Sequence, residues 1–160
     1  ILLLLFPRAV VARLYDRSGQ NGSRSLRRVF GVLLFLAWLL LAIFTPLKPG
    51  TPAFAVGSAV YALGLAGFIV ALLNYRSTPI DQPVTAGLYR ISRHPQQFTL
   101  SVAFLGISIA MGSWPALALM AIGVTGAHAK VRAEEQACLQ KYGESYRRYM
   151  ERVPRYFLFF

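Results

Sequence analysis

Acidic residues are scarce in this chain: six among 160 residues, against seventeen Lys and Arg. Cysteine and histidine are scarcer still, with one Cys138 and two histidines. A single cysteine excludes an internal disulfide framework. With only two histidines beside it, a Cys/His zinc cluster is excluded too, and no metal site is expected. Charge of either sign is thin, at 14% of residues, where a soluble domain carries about 25%. What fills the space is apolar, 56% of the chain. A water-soluble fold of this length could not bury so much, which sets aside both intrinsic disorder and a plain soluble domain. A net charge of +11 on so greasy a chain fits the cytoplasmic face of a membrane protein better than a nucleic-acid partner. No internal repeat or low-complexity segment is present.

Long uncharged runs organise the chain. Residues 29–47 and 53–73 are each long enough to span a bilayer core of about 30 Å as helices. Between them, Lys48-Pro49-Gly50-Thr51-Pro52 is a turn rich in helix breakers. Residues 98–111 and 115–129 are shorter and joined by Gly112-Ser113-Trp114, which predicts a helical hairpin with Trp114 at the interface and Pro115 opening its second helix. Residues 1–7 read as the end of a further membrane helix, and 18–25 as a polar loop. Sixteen of the seventeen basic residues fall in 8–28, 76–94 and 130–160, all on one side of this four-span layout. The positive-inside rule makes that side cytoplasmic. The expected fold is therefore a single all-α domain over 1–160, a polytopic transmembrane helical protein with a cytoplasmic C-terminal arm at 130–160. Gly57, Gly64 and Gly67, with Ser58, Ala59, Ala62 and Ala66, give the second span a small-residue face for close helix packing.

Polar chemistry concentrates in two segments flanking the hairpin. One is 85–97, with Tyr89, Arg93, His94, Pro95, Gln96 and Gln97. The other is 130–156, with Lys130, Arg132, Glu134, Glu135, Tyr142, Tyr146 and Tyr149. A hairpin returns both its ends to one side, so the two segments are expected to meet and set Arg93 and His94 beside Glu134 and Glu135. Converging charges beside an apolar cavity are the usual form of an active site. Plain structural accounts stand beside this one. Arg93-His94-Pro95 can be an interfacial anchor with Pro95 starting the next helix, and Lys130 and Glu134 can be an i,i+4 pair. The tyrosine stripe can pack against the membrane face, and Cys138, with no histidine near it in sequence, reads as a small packing residue.

Taken in order, Gly-Leu-Tyr-x-x-x-Arg-His-Pro at 87–95, the hairpin, Glu134-Glu135, and then Leu139, Tyr142-Gly143, Tyr146, Tyr149 and Val153-Pro154-Arg155 resemble the isoprenylcysteine carboxyl methyltransferase family. Its relatives include the phospholipid N-methyltransferases and many bacterial integral-membrane methyltransferases. The match covers roughly 53–156. The resemblance implies S-adenosylmethionine bound at the cytoplasmic face, a lipophilic acceptor entering from the bilayer, and a bacterial inner-membrane location. It implies no Rossmann-type methyltransferase fold, and the sequence has no glycine-rich strand–helix turn.

Residue by residue, Tyr89, Arg93, His94, Pro95, Gln96 and Gln97 match the family's cofactor segment. Asp81 to Val84, with Gln82 and Val84, match its backbone contacts, Asn74 a more distant one, and Glu134 the acidic residue that holds the cofactor. Lys130 or Arg132 falls near the substrate-binding arginine, the spacing leaving both open. Glu135 and Arg132 are the catalytic candidates, with Glu135 or His94 as the base if the acceptor is an amine or thiol. Gln97 stands where members often carry an aromatic residue, which removes a stacking surface. A prenylcysteine-like carboxylate and a phospholipid amine both fit as acceptors. Two other readings remain at this point: a nicotinamide-dependent membrane reductase, whose family carries a related Arg-His-Pro-like motif, and a non-enzymatic membrane adaptor.

Overall fold

Prolines and small polar residues set where the helices begin. The computed structural model describes residues 23–79 and 82–157. The expected helix end at 1–7, most of the polar loop at 18–25, and Asp81 lie outside the described residues. Among those described there are five α-helices and one 3-10 turn. Helix α1 (Ser23–Phe44) ends three residues before the expected 47, because Pro46 has no N–H to continue the ladder. Helix α2 (Pro52–Arg76) opens on Thr51, whose hydroxyl accepts from the Phe54 amide at 3.3 Å. A 3-10 turn (Gly87–Arg90) precedes helix α3 (Pro95–Ala110). That helix starts three residues earlier than expected: Pro95 suits a first helical position, and His94 before it leaves the helical region at φ −128°, ψ 55°.

Helix α4 (Trp114–Tyr142) is capped by the Ser113 hydroxyl, which accepts from the Ala116 amide at 3.4 Å. It does not stop at 129. Nothing in 130–142 breaks a helix, so the second hairpin helix runs straight into the arm until Gly143. Helix α5 (Glu144–Arg152) follows at once.

The tightest pairing is not within the hairpin. α3 lies antiparallel along α2, and glycines bring the two backbones together. A Cβ added at Gly57, Gly64 or Gly106 would come within 3.0 Å of the backbone of Ala110, Ala103 or Tyr61 respectively. Small-residue faces of this kind are how helices approach closely where apolar burial alone gives no drive. α1 joins from the side. Trp38 is buried with Met111 and Ala116, its indole N–H donates to the Ser108 hydroxyl at 3.0 Å, and its ring meets Phe104 edge-on.

One described helix, α2, is long and apolar enough to cross a membrane, and Val29–Phe44 is a shorter apolar stretch. Twenty-five residues rise about 37 Å, enough for a core of about 30 Å. Only 17% of the apolar window of α2 is buried inside the fold, whereas the core helix of a soluble protein would be mostly covered. Phe30, Leu33, Leu40 and Phe44 on α1 likewise face outward. Apolar surface on this scale marks a site of contact with lipid or protein.

Candidate functional site

The antiparallel α2–α3 pair puts the end of α2, residues 82–94 and the start of α3 at one end of the molecule. α4 delivers its polar half to the same end. Val131 and Glu135, one helical turn apart, both face inward there, with Val131 1% and Glu135 4% exposed. The neighbouring Glu134 sits on the rim, its side chain 47% exposed.

α5 turns back against α4, burying Tyr146, Tyr149 and Val153 beside Cys138, Leu139 and Tyr142. The tyrosine stripe therefore packs inside the arm rather than against a membrane face, and burial pushes the phenols of Tyr146 and Tyr149 well up. The Tyr149 hydroxyl donates to the Tyr89 carbonyl at 2.7 Å, tying the arm to the 3-10 turn.

Beyond α5 the chain runs beside residues 92–94. The Arg93 amide donates to the Pro154 carbonyl (3.0 Å), and the His94 amide and the Ser92 hydroxyl both donate to the Arg155 carbonyl (3.3 and 3.1 Å). Ser92 is fully buried. These bonds fix the backbone of Arg155, whose guanidinium reaches Glu135: Nε lies 3.1 and 3.0 Å from the two carboxylate oxygens, and Nη2 donates to Oε2 at 2.7 Å.

Around that pair stand Arg93, with Nε 3.4 Å from Glu135 Oε1, and His94, with Nε2 3.5 Å from the same oxygen and Nδ1 3.9 Å from Glu134 Oε2. Burial alone would raise the Glu135 carboxyl. The close approach of His94, the hydrogen bonds from Arg155 and the charges of Arg93 and Arg155 prevail and hold it down at about 2. Glu135 is thus an anion at neutral pH and a poor proton acceptor. A carboxylate held this low is a weak base, which argues against the general-base role expected for it. Glu134 carries the other half of the charge balance, with Lys130 Nζ 3.6 Å away at i,i+4.

The structure thus brings Arg93, His94, Glu134, Glu135 and Lys130 together. It does not bring Arg132 in: that side chain is exposed and makes none of these ion pairs. Pro95 and Val84 are buried, Gln97 half-buried and Gln82 exposed. Tyr89 is buried, 7% exposed. Asn74 packs against Gly87, where φ is +60° and any Cβ would strike the Asn74 side chain. Arg155 was visible in the sequence as part of the Val153-Pro154-Arg155 motif, with nothing to assign it a partner. His128, whose Nδ1 lies 3.2 Å from the Tyr156 hydroxyl, gave no sequence signal at all.

Four buried side-chain nitrogens among the described residues have no hydrogen-bond partner: Asn74 Nδ2, Arg93 Nε, His94 Nε2 and Gln96 Nε2. Buried polar groups are almost always satisfied, so a group of orphans calls for an explanation. The amide and guanidinium nitrogens can only donate, and His94 Nε2 donates in one tautomer or when protonated. A ligand rich in acceptors would satisfy such a set.

Residues 49–145, more than half of the chain, match the family model described as phospholipid methyltransferase. No curated protein and no solved structure matches the chain.

Proposed function

Because the chain belongs to the phospholipid methyltransferase family, we propose that it moves a methyl group from S-adenosylmethionine to a lipophilic acceptor at the cytoplasmic face of a membrane. The observation that carries this reading is the set of orphaned nitrogens on Asn74, Arg93, His94 and Gln96. S-adenosylmethionine offers a carboxylate, ribose hydroxyls and adenine nitrogens as acceptors, and an ammonium that needs an anion. Arg93 and His94 would take the carboxylate and Glu134 the ammonium, as charge-assisted hydrogen bonds. Asn74 and Gln96 are left for neutral acceptors. Tyr89, buried and held by Tyr149, shapes the loop beneath the site.

When bound, the cofactor supplies a methyl already activated by its sulfonium. The residues of this chain align donor with acceptor and exclude water. Glu135 balances the charge of Arg155 beneath the site. A carboxylate acceptor needs no base. For an amine or thiol acceptor, His94 is the remaining candidate to take a proton, now that Glu135 is committed to Arg155. Lys130, at the rim beside Glu134, is the better placed of the two basic residues to meet a carboxylate or phosphate on the acceptor, since Arg132 makes no ion pair with either glutamate.

Calorimetric titration of the detergent-solubilised protein tests the reading. S-adenosylmethionine is expected to bind and NADPH not to. Replacing Glu134 by Gln is expected to weaken the cofactor by about 1.5 kcal/mol, the low end for a hydrogen bond to a charge because the side chain is half exposed. Binding of NADPH in place of S-adenosylmethionine, or equal affinity for wild type and Glu134→Gln, contradicts it.

A further inference from the structure

The arginine that grips Glu135 is not one of the residues proposed to touch the cofactor, and it comes from the far end of the chain. We propose that Arg155 is the positioning residue of the site: by occupying both oxygens of Glu135 it keeps that carboxylate from capturing Arg93 and His94, and so leaves their nitrogens for a ligand. The inference rests on the proposed cofactor reading only for the identity of that ligand.

Three observations support it. First, Glu135 Oε1 faces Arg93 Nε at 3.4 Å and His94 Nε2 at 3.5 Å, yet neither nitrogen has a hydrogen-bond partner. Both stand just outside bonding geometry, and a small swing of the carboxylate would close either contact. Second, the Arg155 Nε–Nη2 fork takes both oxygens at 2.7–3.1 Å. A planar guanidinium is suited to fixing a carboxylate's orientation as well as its charge. Third, the Arg155 backbone is pinned to the segment it protects, its carbonyl accepting from both the His94 amide and the Ser92 hydroxyl. Guanidinium and loop therefore share one frame. A bare Glu135 would still be an anion in the same place and would turn to the two donors that remain.

The test uses the full chain in detergent, with three variants: Arg155→Gln, Arg155→Lys, and Arg155→Gln combined with Glu135→Gln. S-adenosylmethionine affinity is expected to fall about tenfold or more in Arg155→Gln. The rate at saturating cofactor should be largely kept, because the loss is in access to the donors. In the cofactor-free protein the Arg93 Nε–H proton resonance, assigned with Arg93→Lys, should move downfield as that group closes onto Glu135. The double variant should regain part of the affinity, since a neutral amide competes for the donors less than a carboxylate does. Arg155→Lys retains the charge without the fork and should fall between wild type and Arg155→Gln. That variant also decides the matter if Arg155→Gln does not fold.

A double variant no better than the single one, or an Arg93 Nε–H signal that stays in place when Arg155 is replaced, overturns the proposal. If wild type itself fails to bind S-adenosylmethionine, the methyltransferase reading falls, while the Arg93 signal still decides the role of Arg155.

Discussion

Glu135 makes the stability of the site depend on acid. Its carboxyl sits at about 2 in the folded protein against an ordinary 4.5. A group depressed on folding contributes stability that is fully present above its unfolded value and is lost as pH falls through the folded one. The contribution, on the order of 3 kcal/mol, should therefore be intact at pH 7 and fade between about 4.5 and 2. Thermal unfolding of wild type and Glu135→Gln in detergent measures it: wild type is expected to be the more stable at pH 7, with the gap closing below pH 4.5. A gap independent of pH would contradict this assignment. The sequence made Arg93, His94, Glu134 and Glu135 legible as a group, because a hairpin must bring its two ends together. It did not separate the two glutamates. Their roles depend on helix phase, which puts Glu135 beneath the site with Val131 and leaves Glu134 at the rim. Nor could it give Arg155 a partner, since that placement follows from backbone bonds between 92–94 and 154–155, a pairing with no periodicity to announce it.

Helices α2 and α3 meet through backbone rather than through side chains, and single methyl groups should reveal it. Gly64→Ala and Gly106→Ala each push a Cβ into the opposing backbone, and overpacking of this kind costs about 1–3 kcal/mol. Gly123 on α4 has nothing within 4 Å of the position a Cβ would take. Gly123→Ala should therefore stabilise by up to about 1 kcal/mol through helix propensity alone. Melting temperatures of the three variants in detergent give the check, and equal behaviour of Gly64→Ala and Gly123→Ala would remove the close-packing account. The small-residue face of α2 was readable from Gly57, Gly64 and Gly67, but its partner was not. Sequence adjacency favoured α4 for α3, while the available surface favoured α2. Helix starts were readable to within a residue at Pro52 and Pro115, whereas the expected start at 98 passed over Pro95. The end of α4 was missed because a drop in hydropathy at Lys130 looks like a boundary and is not a helix breaker.

For the whole molecule, the one-sided distribution of its basic residues is the ground for the proposed topology, in which the site end of the bundle is cytoplasmic. With Cys138 replaced by Ser, single cysteines at Lys48 and Ser145 should label from opposite faces of the membrane, and labelling of both from one face would remove the proposed topology. Within that frame the glycine contacts act as a key in a slot. Gly57 against Ala110, Gly64 against Ala103 and Gly106 against Tyr61 follow one antiparallel register. Sliding α2 along α3 by a single residue would drive a side chain into the opposing backbone. The two helices consequently move as one rigid body, with Asn74 near the end of one and His94 at the start of the other held at constant spacing. If the proposed acceptor needs the bundle to open, the give belongs to α1, joined to that body by side-chain packing around Trp38 and Met111, because α4 is also tied to it through Glu135, Arg93 and Arg155.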